Sequence, residues 1–168
     1  MGYKRVHILG GAGSGKTTLA KSIATHIQAP HHELDEIYYL DIAARVRRPP
    51  ADRDALVEKL IAADTWVLEG IFWQPWVQPA LDRADKIIIL AIGELTRHKR
   101  VIARHLKLLR EASPHERKYF FPTLIELLRN NRHYNRGPLP ETIELTAPFS
   151  DKVSICTNNS EAAQLLGL

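Results

Sequence analysis

Residues 10–17 read GGAGSGKT, four glycines and a lysine–threonine pair at the spacing G-x-x-x-x-G-K-[ST]. The chemistry this spacing serves is phosphate binding. Gly10, Gly13 and Gly15 permit backbone angles that let successive N–H groups converge on phosphate oxygens. A buried-strand pattern precedes the stretch and a helical one follows it, so the helix N-terminus adds its partial positive charge. Lys16 is placed to reach the β- and γ-phosphates, and the Thr17 hydroxyl to ligate Mg²⁺. Gly11, Ala12, Gly13, Ser14, Gly15, Lys16, Thr17 and Thr18 form the candidate ATP-binding set, with ATP and Mg²⁺ as expected cofactors.

Phosphoryl transfer further requires an acid for the metal, a group that orients the acceptor, and positive charge around the moving phosphoryl. Glu69 closes the strand-like WVLE and precedes Gly70, which makes it the candidate metal acid, acting through water. In HHELDEIYY (31–39), Asp35 falls just past a short second strand, at the rim where open α/β sheets bind ligands. It is the candidate for orienting or deprotonating an acceptor hydroxyl. Glu33 and Glu36 compete for that role, but alternation does not turn all three acids to one cleft. His31 and His32 are adjacent, face opposite sides of a strand, and read as structural rather than as a metal pair. Arg97, Arg100 and Arg104 recur at i, i+3 and i+7, one helical face suited to clamping phosphates and stacking on a base. Arg100, Arg104 and Arg132 are the candidates to act in the chemistry with Lys16 and Asp35, and Arg129 and Arg136 extend the set. Phe72, Trp73 and Trp76, with Tyr38 and Tyr39, are equally readable as stacking walls for a ring-bearing acceptor or as loop packing.

The elements that must position these residues alternate between strand and helix. KRVHILG (4–10), a short segment around HHEL, TWVLE (65–69), KIIIL (86–90) and KVSICT (152–157) read as strands. KTTLAKSIATHIQA (16–29) and ADRDALVEKLIAA (51–63) read as helices, the second capped by Asp52 with Leu56, Val57, Leu60 and Ile61 as its stripe. SEAAQLLG closes the chain as a helix with Ser160 as its cap. This alternation implies an α/β fold with a parallel sheet covered on both faces. Between Gly93 and Asn135 two long basic helices, broken near SPHE (113–116), read as a lid, and RGPLPE (136–141) leads back to the sheet. The expected organisation is one domain, core 1–92 and 146–168 with a lid over about 93–136.

Composition bounds the rest. The chain has 168 residues, 45% apolar and 25% charged, enough for one substantial core. Cys156 is the only cysteine, so no intrachain disulfide forms. A strand and its loop follow Met1 too closely for a signal peptide, and IIILAI (87–92) is too short to cross a bilayer. A cytoplasmic protein is expected. Residues 97–136 carry eleven Lys and Arg against three Glu, a balance of +8 within a net charge of +4. Such a block seeks a phosphate-rich partner.

The ordered set ILGGAGSGKTTLA, HELDEIYY, DTWVLEGIFW, RHKRVIARHLK and NNRHYNRG resembles the P-loop kinase-like DNA topology modulation proteins, relatives of adenylate kinases, over nearly the whole chain. The resemblance implies a five-stranded parallel sheet of order 2-3-1-4-5. It also implies that Gly13, Lys16 and Thr17 bind ATP and Mg²⁺, that Asp35 faces the acceptor, and that Arg100 and Arg104 line the nucleotide site. Glu69 replaces the usual aspartate, one methylene longer, and Ala91 stands where relatives often carry an acid. The leading expectation is an ATP-dependent kinase for a small acceptor such as a nucleotide or nucleoside. The alternatives are a nucleic-acid-binding NTPase or regulator and a nucleotide binder without turnover. No zinc or helix-turn-helix pattern favours nucleic acid.

Overall fold

The computed structural model describes residues 2–42, 45–111, 120–165 and 167. Along the chain, β1 (Arg5–Gly10) leads through the glycine loop into α1 (Lys16–Ile27), and β2 (His31–Glu33) into the short α2 (Leu34–Tyr38). An antiparallel pair, β3 (Tyr39–Asp41) and β4 (Val46–Arg47), precedes α3 (Pro50–Ile61), β5 (Trp66–Gly70) and α4 (Gln78–Arg83). Then come β6 (Lys86–Leu90), α5 (Glu94–Glu111), α6 (Phe120–Tyr134), α7 (Pro138–Thr146), β7 (Val153–Cys156) and α8 (Asn159–Leu165).

Five strands pair in parallel in the order β2-β5-β1-β6-β7, which is 2-3-1-4-5 counted over the sheet strands alone. Alternation along each strand builds three layers. Trp66, Leu68, Ile87 and Ile89 face one side with Val57, Ile61 and Leu81. Val67, Ile88 and Leu90 face the other with Leu19, Ala20, Ile23 and Ala162. Cys156 is fully buried there, and burial pushes its thiol pKa up. His7 sits at the centre of β1 with no exposed surface and with both ring nitrogens unpartnered among the described residues. Burial drives its pKa down to about 3, so the ring is neutral at physiological pH. No helix among the described residues is long and apolar enough to cross a membrane.

Several element boundaries differ from expectation for local reasons. α3 begins at Pro50 with Pro49 at the cap, so Asp52 is not the cap; it lies in the first turn, where its charge complements the helix dipole. Leu56 lies off the buried stripe of that helix, 38% exposed, while Val57 and Ile61 fill it. α8 is capped by Asn158, whose Oδ1 accepts the Glu161 N–H at 2.8 Å, and Ser160 lies inside the helix. α1 stops at Ile27 because Gln28 turns left-handed (φ 53°). The proline-rich return forms α7, with a proline in its first turn where no intrahelical N–H is needed. Leu139 and Leu145 of α7 pack on the sheet core, so core packing resumes before residue 146. The expected break at 113–116 lies outside the described residues.

Candidate functional site

The glycine loop is fixed from three sides by side chains and backbone far away in sequence. Gly13 (φ 76°) and Gly15 (φ 91°) are left-handed. A Cβ on Gly13 would stand 2.6 Å from the Arg97 carbonyl oxygen of α5, and one on Gly15 would stand 2.7 Å from the Asn159 amide. Gly11 lies flat against Tyr134 of α6, where a Cβ would come within 3.0 Å of the ring. Burial raises the Tyr134 hydroxyl to about 12, so it stays a neutral packing group. Asn159 donates to the Ser14 carbonyl at 3.0 Å, and Arg100 donates to the same carbonyl at 3.0 Å and to Asn159 Oδ1 at 2.8 Å. Asn159 and Tyr134 carry no motif signal that names these contacts, although Tyr134 lies within the NNRHYNRG stretch.

Glu69, 2% exposed, is the penultimate residue of β5, beside the first turn of α1. Thr17 donates to Glu69 Oε1 at 2.5 Å, and Lys16 Nζ stands 3.5 Å from Oε2. The hydroxyl and carboxylate expected to serve a cation are therefore already neighbours, with Lys16 alongside. Asp35 is half-buried in the first turn of α2. Its pKa is raised, chiefly by burial, with Lys16 pulling it down and Glu69 pushing it up, so it shares the field of both groups. Glu36 is exposed. Glu33 pairs in register with Glu69, and His31 turns to the same carboxylate at 3.9 Å. Alternation along β2 puts His32 on the strand face opposite to His31. The setting of His31 nevertheless escapes a reading confined to adjacent residues, because its partners lie at i+2 and on the neighbouring strand.

The arginine face divides. Arg100 and Arg104 line a cavity of about 210 Å³ with Gly13, Gly15, Lys16, Thr17 and Thr18. Arg97, by contrast, is wholly buried where α5 packs against α6. It donates to Asn131 Oδ1 (2.8 Å), the Asn131 carbonyl (2.8 Å), Asn135 Oδ1 (2.9 Å) and the Ile92 carbonyl (2.9 Å), and its guanidinium stacks 4.7 Å over Tyr134. Arg132 is exposed on α6 and is not among the residues lining that cavity, as is also true of Arg129 and Arg136. A second cavity of about 400 Å³ shares Gly15, Thr18 and Arg100 with the first and adds Leu19, Ser22, Asn159 and Ala163. Tyr38, Phe72 and Trp76 pack on one another with centroids 4.7–5.9 Å apart, and the Arg53 guanidinium lies 4.7 Å over Trp76.

No family model matches the chain. The uncharacterized protein YqaC of Bacillus subtilis (strain 168) is 29% identical over 104 residues. That match covers 62% of this chain and 58% of the relative, less than two thirds of its length. A shikimate kinase structure from Bacteroides thetaiotaomicron superposes with a TM-score of 0.54 at 16% identity, covering 99% of both chains. A shikimate kinase from Acinetobacter baumannii in complex with shikimate gives 0.55 at 15% identity, over 98% of this chain and 94% of that one. The resemblance to DNA topology modulation proteins gains nothing from these matches and rests on the motifs quoted for it. What the superpositions establish is the fold: this chain shares the parallel α/β architecture of these two structures.

Proposed function

We propose that this protein is an ATP-dependent phosphotransferase, related in plan to adenylate kinases, that transfers a phosphoryl group to a small acceptor such as a nucleoside or nucleotide. The observation that carries the reading is the convergence on Glu69: Thr17 and Lys16 contact its two oxygens, and Asp35 shares the field of Lys16 and Glu69. The loop N–H groups from Gly11 to Thr18 and Lys16 bind the phosphates, and Arg100 and Arg104 close over them. The second cavity, between Arg100, Leu19 and Asn159, suits the nucleoside end of ATP. Thr17 and Glu69 would hold Mg²⁺, which would supply positive charge to offset that of the transferring phosphoryl. Asp35 orients the acceptor hydroxyl and takes its proton.

A screen of nucleosides, nucleotides and small alcohols for acceptor-stimulated ATP consumption tests this. Asp35→Asn is expected to cut acceptor-dependent turnover by at least roughly 100-fold while leaving ATP binding intact. Absence of stimulation across the panel, or full activity in Asp35→Asn, overturns the reading. The exposed Arg129, Arg132 and Arg136 favour a second reading, a nucleic-acid-binding NTPase. It predicts duplex binding that weakens steeply with salt and is lost on replacing these three residues.

A further inference from the structure

We infer that the chain carries its own site for a divalent cation at His31, Glu33 and Glu69, one that prefers Mn²⁺, Co²⁺ or Zn²⁺ to Mg²⁺ and fills without nucleotide. His31 and Glu33 are i, i+2 on β2 and so share one face of the sheet. Parallel pairing sets Glu33 in register with Glu69 of β5, which brings a third ligand to the same spot. One ligand atom from each residue lies within 4.8 Å of the others. Three ligands held at about 2.0–2.2 Å from a shared ion in a tetrahedral set stand about 3.3–3.6 Å apart, so side-chain contraction by up to about 1 Å completes the site. His31 Nε2 and Glu69 Oε1, 3.9 Å apart, lie within a few tenths of an ångström of that spacing.

A second observation points to a ligand. His31 Nε2 is enclosed, with no hydrogen-bond partner among the described residues, and such a nitrogen is costly to leave unpaired. It is aimed at Glu69 Oε1, while Lys16 lies on the other oxygen, Oε2, at 3.5 Å. A cation on the Oε1 side leaves Lys16 in place and shares that oxygen with the Thr17 hydroxyl, taking its second lone pair. The donor set decides the preference: an imidazole with two carboxylates suits borderline first-row metals, whereas Mg²⁺ takes oxygen ligands and gives up water reluctantly. The inference does not rest on the kinase reading, because all three ligands come from the protein.

The test uses full-length, nucleotide-free protein in metal-free buffer. Mn²⁺ titration followed by the electron paramagnetic resonance signal of the free ion, and Co²⁺ titration followed by visible absorption, are expected to show one ion per chain. Mg²⁺ should displace Mn²⁺ only at concentrations at least roughly 100-fold higher. Glu33→Gln and His31→Gln should each weaken binding by at least roughly tenfold. Glu33 is half-buried, so its variant keeps the test available if the His31 variant does not fold. No saturable binding below about 1 mM, unchanged affinity in a folded variant, or displacement by equimolar Mg²⁺ each overturns the inference.

Discussion

Replacing Arg97 by lysine separates two roles that the spacing of Arg97, Arg100 and Arg104 makes look alike. The guanidinium of Arg97 has no exposed surface and donates four hydrogen bonds, to Asn131 twice, Asn135 and Ile92. A lysine keeps the charge but has one nitrogen, which cannot span acceptors arranged around a planar fork. At least two buried acceptors then lose their partner at about 1–3 kcal/mol each, giving an expected loss near 4 kcal/mol. With a urea slope of about 2 kcal/mol per molar, the unfolding midpoint should fall by about 2 M. Arg100→Lys touches an exposed side chain, so its midpoint should move by less than about 0.5 M, while its ATP affinity drops because the contacts above the loop are lost. Tryptophan fluorescence in urea and calorimetric titration with ATP read the two effects. The reasoning is refuted if Arg97→Lys unfolds with the wild type yet loses ATP affinity as Arg100→Lys does.

Two further outcomes follow from buried groups. The pKa of His7 lies near 3 in the fold against 6.5 in the unfolded chain, so the unfolded state binds more protons between those values and stability falls as pH drops through that window. The contribution lost between pH 8 and pH 5 is about 2 kcal/mol, and urea unfolding at both pH values should show His7→Leu with a correspondingly smaller acid loss; an equal loss in both proteins contradicts the assignment. Gly11→Ala drives a methyl to within 3.0 Å of the Tyr134 ring and should cost about 1–3 kcal/mol. In a Tyr134→Leu background the same change should cost at least about 1 kcal/mol less, and a double-mutant cycle with no coupling rules out the contact as the cause.

How much of this was legible depends on how local each signal is. The strands KIIIL and WVLE and the loop GGAGSGKT announce themselves because contiguous apolar runs and glycine spacing are properties of a few neighbouring residues. Alternation of strand and helix implies the parallel sheet, and its order agrees with the 2-3-1-4-5 that the family resemblance implies. Spacing groups Arg97 with Arg100 and Arg104, but it fixes the angle around a helix and not the depth to which each turn is covered. Its first turn lies under α6, and the turns bearing Arg100 and Arg104 emerge over the loop. Asn159 and Tyr134 reach the glycine loop across more than a hundred intervening residues, and no pattern of periodicity encodes such a meeting. Asp52 and Ser160 were plausible caps by type, but prolines in one case and Asn158 in the other occupy the position that matters.

The absence of a side chain at Gly13 leaves the glycine loop and the backbone of α5 with no slack between them. A displacement of that helix must move the loop, and a phosphate that reshapes the loop must move the helix. Two sites joined in this way share one coupling free energy, which reads identically in both directions. A phosphate-rich partner gripping the basic helices would then change the affinity for nucleotide by the same factor that nucleotide changes the affinity for that partner. The two readings of the basic block thereby become one measurable thermodynamic box, closed at a glycine.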